Sequence, residues 1–168
     1  KDRIPPPVQN IPENVSAQIG SREFTLTWKK EVNVTGYEVS ITNGGRTEIL
    51  ETSENTLTVN GFNEKELINY ETYLVKVRSV NGNWKSSYSA QISVMPEPDG
   101  PPPAPENISI EGGYKSLHVS WKKMDDTKTY SLFYRQAGTE EFKAVDDLTG
   151  TSTTISGLER SEERRVGK

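Results

Sequence analysis

The sequence predicts an all-β protein made of two tandem seven-strand β-sandwiches, the second truncated after its fifth strand. Three observations carry this expectation. Apolar and polar residues alternate with period two over most of the chain, and helical periodicity is absent. The segment "PENVSAQIGSREFTLTWKK" from Pro12 recurs as "PENISIEGGYKSLHVSWKK" from Pro105, with Trp28 and Trp121, Gly20 and Gly113, and Tyr37 and Tyr130 each 93 positions apart. All 10 prolines fall within Pro5 to Pro12 or Pro96 to Pro105, outside the strands, where a missing N–H removes no ladder bond.

The elements follow in order. "PENVSAQI" from Pro12 is the first strand. In "EFTLTWKK" Phe24, Leu26 and Trp28 share one face while Thr25, Thr27 and Lys29 share the other, the signature of a half-buried second strand. "TGYEVSIT" turns Tyr37, Val39 and Ile41 inward, and the turn signal "NGG" at Asn43 leads into a fourth strand over Arg46 to Ser53. "NTLTVNGF" places Leu57 and Val59 inward, "TYLVKVRSV" places Tyr73, Val75 and Val77, and "YSAQISVM" places Ala90, Ile92 and Val94. In the second copy "SGL" at Ser156 matches "NGF" at Asn60 with an offset of 96, so a short insertion lies before it. There Tyr130, Leu132 and Tyr134 are expected to point inward and Phe133 outward.

The pattern then fails, because "RSEERRVGK" has neither alternation nor an aromatic residue. The expected organisation is a Pro-rich linker over 1–7, a first module over 8–96, a second linker over 97–104, an incomplete second module over 105–159 and a non-native tail over 160–168. The tail reads like a translated sequencing adapter, which argues for leaving it out of the fold; a natural solvated charged tail is the alternative. "MPEPDGPPPAPEN" is expected to adopt polyproline II geometry, extending by ~3.1 Å per residue as a semi-rigid spacer. The chain opens at Lys1 without Met or a signal peptide, as an internal piece of a longer protein would.

Composition narrows the function classes. The 168 residues are 32% hydrophobic and 26% charged, with a net charge of −4 and both signs interspersed. No basic stripe exists for nucleic acid or an anionic membrane, and no stretch is apolar enough to insert into a bilayer. Cysteine is absent, which removes disulfides, thiolate metal sites and a cysteine nucleophile together.

With these landmarks in place, the chain resembles the fibronectin type III family of immunoglobulin-like sandwiches. The residues that carry the resemblance are the Pro-rich entry, Trp28 on the second strand, Tyr37 on the third, "NGF" after the fifth and "TYLVKVRSVN" as the sixth. The resemblance covers the whole first unit and, through Pro105, Trp121, Tyr130 and Leu158, part of the second. It implies that Trp28, Tyr37, Tyr73, Trp121 and Tyr130 are structural core residues. Tyr73 falls where the family places a tyrosine whose hydroxyl ties the preceding turn to backbone a few residues upstream. It also implies a non-catalytic spacer or scaffold, extracellular or at a cell surface, positioning neighbouring catalytic or carbohydrate-binding domains of the same chain. The tail and the resemblance together point to a bacterial secreted or cell-surface multidomain protein.

The alternative is an adhesion or receptor-type module that binds a protein or polysaccharide through the loop between the sixth and seventh strands. Asn81, Asn83, Trp84 and Tyr88 are the candidate binding residues there. An exposed Trp84 would suit stacking on a sugar or anchoring a partner. Its structural alternative is to fold over Arg78 or Lys76 as a cation–π cover, as in the Trp and Ser motifs of cytokine-receptor modules, although the Trp84 to Tyr88 spacing is one residue too long for that motif. No Arg-Gly-Asp sequence is present. His118, the single histidine, faces away from Leu117, Val119 and Trp121 and reads as a surface residue. The Asp pairs at Asp125 and Asp146 lack calcium-loop spacing and read as turn and loop residues. No catalytic residue, cofactor or metal ligand is expected. Asn14, Asn33 and Asn107 each begin an Asn-x-Ser/Thr sequon, and the first and last share one position of the repeat.

Overall fold

The computed structural model describes residues 9–159, in which every regular element is a strand. The chain divides into two compact units between Gly100 and Pro101.

In the first unit β1 (Ser16–Gly20) turns into β2 (Glu23–Thr27), and β3 (Gly36–Asn43) turns into β4 (Arg46–Thr52). The β3–β4 turn is Gly44 and Gly45 at φ of 55° and 78°, the left-handed pair that a two-residue hairpin requires and that glycine adopts without strain. β5 (Thr56–Val59) returns beside β2, and β6 (Gly61–Phe62) pairs with β7 (Lys65–Glu66) in a small hairpin. The long β8 (Tyr73–Asn81) is followed by β9 (Trp84–Lys85) and β10 (Ile92–Val94). One sheet has the order β1-β2-β5 and the other β10-β8-β3-β4, with β9 also on β8. β3 lies between β8 and β4, in register from Gly36↔Val80 and Tyr37↔Thr52. A Cβ on Gly36 would lie 2.7 Å from the Thr52 carbonyl oxygen, so only glycine fits where β3 enters this sheet.

Alternation carries the inward residues of both sheets into one core of Phe24, Leu26, Trp28, Tyr37, Val39, Ile41, Val59, Tyr73, Val75, Val77 and Val94, closed at one end by Leu67. The Tyr73 hydroxyl accepts a hydrogen bond from the Ile68 N–H at 3.0 Å, and its ring packs on Phe24 and Phe62. This ties the crossover from one sheet to the other down onto the sixth main strand. Burial pushes the phenol pKa up against the opposing pull of the Ile68 bond, and the nearby charge of Glu71 adds to the rise.

Two expected strands are shorter than the alternation suggests. The first begins at Ser16, not Pro12. The last begins at Ile92, and Ala90 is exposed, because residues 86–90 leave strand geometry and satisfy β8 in another way described below.

The second unit contains β11 (Ser109–Gly113), β12 (Ser116–Ser120), β13 (Tyr130–Tyr134), β14 (Lys143–Leu148) and β15 (Ser152–Ser156). Its sheets have the orders β11-β12-β15 and β13-β14, the counterparts of the first five main strands of the first unit. The insertion falls in the β13–β14 connection, where residues 135–142 replace the two-glycine turn. Asp146 does not sit in a turn: with Asp147, at φ 56°, it forms a bulge in β14 opposite Ser131, where the register shifts between Tyr130 and Leu132. Val119, Met124 and Ile155 are buried, while Trp121, Tyr130, Leu132 and Tyr134 are half-buried and Phe133 is 62% exposed. Among the described residues only β14 pairs with β13. Residues 1–8 and the expected tail at 160–168 lie outside the described residues.

Candidate functional site

The candidate loop between the sixth and seventh strands is a hairpin. β8 continues to Asn81, turns at Gly82 (φ 57°) and Asn83, and returns as β9, with Asn81↔Trp84 and Val80↔Lys85 in register. A second loop is bound to it. The Thr35 N–H donates to the Val80 carbonyl at 2.7 Å, the Gly82 N–H donates to the Thr35 hydroxyl at 3.1 Å, and the Asn81 side-chain amide donates to the Asn33 carbonyl at 2.8 Å. The β2–β3 loop and the β8–β9 hairpin therefore form one end of the sandwich. Val32 and Trp84 stand exposed on it at 74% and 51%.

Beyond the hairpin, serines replace a strand. The N–H groups of Val77 and Ser79 donate to the hydroxyls of Ser89 and Ser86 at 3.0 and 2.9 Å, while the Ser89 and Ser86 N–H groups donate to the Val77 and Ser79 carbonyls. Each hydroxyl stands in for a ladder carbonyl, so the edge of β8 stays satisfied although residues 86–90 are irregular. The same path lays Tyr88 over the outer face of β8, with the Arg78 guanidinium 4.5 Å and the Lys76 ammonium 5.2 Å from its ring centroid. Trp84 was the expected cover for these cations. The structure gives that place to Tyr88, because the serine bonds set the phase of the segment and leave Trp84 on the hairpin. Ser86 and Ser89, spaced three apart around Tyr88, carry the signal that would have shown this.

Beneath the ladder, Glu38 is almost fully buried on the outward face of β3. Its carboxylate accepts a hydrogen bond from Arg78 Nε at 2.7 Å and another from Lys85 Nζ. Burial alone would raise the Glu38 pKa, but the Lys85 and Arg78 hydrogen bonds and charges outweigh it and hold the carboxyl below its usual value. Neither Glu38 nor Lys85 was singled out by the sequence, since a charged residue at an outward strand position reads as solvated until its cross-strand partners are known. An open cleft of about 540 Å³ lies alongside, lined by polar groups that include Thr35, Glu51, Asn83 and Lys85.

The remaining candidates separate. Trp28, Tyr37 and Tyr73 lie in the first core, and Trp121 and Tyr130 are half-buried in the second unit. His118 is exposed on β12 and bonds Thr154 Oγ1 across the strand pair at 3.0 Å. Asp125 and Asp126 occupy a turn. Among the described residues no group of three or more His, Cys, Asp or Glu side chains could hold a metal ion, and no helix is long and apolar enough to cross a membrane. What the site offers chemically is an exposed indole, hydrogen-bonding amides and hydroxyls, and a buried carboxylate already bonded to Arg78 and Lys85.

Comparison with known proteins places these features. The family model of the fibronectin type III domain matches residues 10–95. Rat neogenin is 29% identical and human neogenin 28% identical over 175 aligned residues, covering 94% of this chain and 12% of each relative, so the chain spans about an eighth of their length. The structure of a two-domain fibronectin type III segment from chicken tenascin superposes with a TM-score of 0.55 at 17% identity, covering 89% of this chain and 84% of that one, which shows the shared fold. The expectation of a bacterial source is not supported: the relatives are mammalian and avian, and the argument for it rested on a tail outside the described residues. The chain belongs to the fibronectin type III domain family.

Proposed function

We propose that the chain is a pair of non-catalytic scaffold modules of an extracellular or cell-surface protein, whose work is to position neighbouring domains of the same chain. The observation that carries this reading is the outer face of the β4-β3-β8 sheet. There the Glu38 carboxylate takes hydrogen bonds from Arg78 and Lys85 while the Tyr88 ring covers Arg78 and Lys76, so the face is filled from within. Similarity to neogenin, a cell-surface or extracellular protein, supports the location. The test is the uninterrupted transcript. In-frame extracellular domains on both sides are expected, and flanking intracellular domains would overturn the reading.

A second reading is favoured by the exposed ring of Trp84: the end formed by Asn81, Asn83 and Trp84, with Tyr88 behind it, binds a protein or polysaccharide in trans. Under that reading Trp84→Ala abolishes binding to cells or to a glycan array without changing the circular dichroism spectrum. Under the scaffold reading neither protein binds.

We further infer that the second module is incomplete within 105–159. The support is β13, which corresponds to β3 by the repeat yet lacks, among the described residues, a strand in the place that β8 takes on β3.

A further inference from the structure

We propose that Asn33 is an N-glycosylation site and that the indole of Trp84 is the platform on which the first sugar of its glycan packs. Asn33, Val34 and Thr35 form an acceptor sequon in the loop between β2 and β3. Asn33 is exposed and at φ 56°. Its bond to Asn81 uses the backbone carbonyl, and among the described residues nothing holds its carboxamide, which is the atom group a glycan would modify.

Local structure by itself accounts for the residue types. The left-handed position favours Asn or Asp, as shown by Asp126, 93 positions later and also at φ 56°. Thr35 is used by Val80 and Gly82. The equivalent of Thr35 in the second unit is Lys128, so the turn recurs there without the sequon. Asn14 and Asn107, ahead of β1 and β11, share one repeat position and need no further cause.

The observation that points to a sugar is Trp84. Asn81 and Trp84 are cross-strand partners, so their side chains leave the same face of the hairpin a few ångströms apart. The Asn81 side chain reaches Asn33, which makes that face the one turned toward the loop. Trp84 therefore stands beside the attachment point, half exposed and, among the described residues, without an aromatic or cationic partner. A pyranose presents a face of C–H groups, and an indole face carries the negative end of its quadrupole, so the two pack while the sugar hydroxyls stay in water. Packing of this kind removes apolar ring surface from solvent in the chain's own glycoform. It gives Trp84 a partner in cis, in place of the trans partner of the second reading.

The proposal depends on the extracellular reading only in needing a eukaryotic secretory route, and the experiment supplies that route. Residues 1–168 are expressed behind a signal peptide in human cells. Occupancy of Asn33 is read by mass spectrometry of peptides released by amidase in isotopically heavy water, from secreted and retained protein together. Asn33 modified is the expected result, and an unmodified Asn33 overturns the site whatever the native location. Acrylamide quenching of tryptophan fluorescence then tests the platform. Quenching is expected to be weaker in the glycosylated protein than in Asn33→Gln, with the difference lost in a Trp84→Phe background. Equal quenching with and without the Asn33 glycan overturns the platform.

Discussion

The two units make the same local bonds and reach different degrees of burial. Trp28 and Tyr37 pack with ring centroids 5.2 Å apart, Trp121 and Tyr130 at 5.3 Å. The Tyr37 hydroxyl accepts from the Glu31 N–H at 2.8 Å and the Tyr130 hydroxyl from the Met124 N–H at 2.9 Å. Even the Glu13–Lys29 ion pair at 3.0 Å returns as Glu106–Lys122 at 3.1 Å. Yet Trp28 is 3% exposed in a continuous core, whereas Trp121 is only half-buried. Contacts within one stretch of sequence form the shared geometry. Burial comes from β8 and β10, which bring Tyr73, Val75, Val77 and Val94 across from a distant part of the chain. Each such side chain contributes about 1.5–3 kcal/mol when fully buried.

The largest expected difference between the units is in hydrogen exchange on residues 1–168. The amides of β3 and β8 should exchange only through global opening, at about 5 kcal/mol or more, while those of β13 exchange through local opening at far lower cost. Equal protection in β3 and β13 would break the comparison and with it the inference that the second module is incomplete. Substitution of the paired tryptophans is the next test. In denaturant titrations of residues 8–96, Trp28→Ala should cost about 3–5 kcal/mol, the usual loss for a large buried aromatic. In residues 1–168 Trp121→Ala should cost about 1–2 kcal/mol, because a half-buried ring leaves a smaller cavity that solvent reaches. Equal losses would mean that the second core is as complete as the first.

The sandwich was legible in the sequence because alternation and repeat are local signals, and Phe24, Leu26, Tyr37, Val39 and Ile41 are buried where period two puts them. The sequence misled where partners are distant. Ala90 continues the alternation on paper, but Ser86 and Ser89 satisfy the β8 edge and end the pattern. Trp84 and Tyr88 are both aromatic and four residues apart, and only Ser86 and Ser89 mark which of them covers Arg78. Glu38 was invisible as a buried ion because Arg78 lies 40 positions away on the neighbouring strand. The insertion was detected as a change of offset, whereas its place in the β13–β14 connection and the bulge at Asp146 follow from register.

A smaller effect isolates what the sixth main strand adds through one hydroxyl. Tyr73→Phe keeps the ring against Phe24 and Phe62 but leaves the Ile68 N–H without its acceptor, at a cost of about 1–3 kcal/mol. Among the described residues the second unit has no equivalent bond, so the loss measures an advantage of the first unit alone. A change within error would show that solvent takes over the Ile68 N–H and that the ring, not the hydroxyl, fixes the crossover.

The smallest predicted effect concerns Glu38, whose counterpart in the second unit is Ser131, on a strand that among the described residues has no arginine-bearing neighbour of the kind β8 provides. The carboxylate occurs where its cations are available. Its folded-state pKa lies below the ordinary value of 4.5, so the unfolded chain takes up a proton from solution before the folded chain does. The stabilisation is therefore present in full above the ordinary carboxyl range, begins to decline as the pH falls through about 4.5, and is gone below the lower folded value. Thermal melts of residues 8–96 between neutral pH and about pH 3 should show the Tm falling less steeply below this range in Glu38→Gln than in the parent sequence. At neutral pH the variant should already be the less stable, because Arg78 loses its buried counter-charge and Lys85 its carboxylate partner. If the two acid limbs are parallel, the ladder over β8 is held by Tyr88 and the serines, and the ion pair beneath it contributes nothing that the second unit lacks.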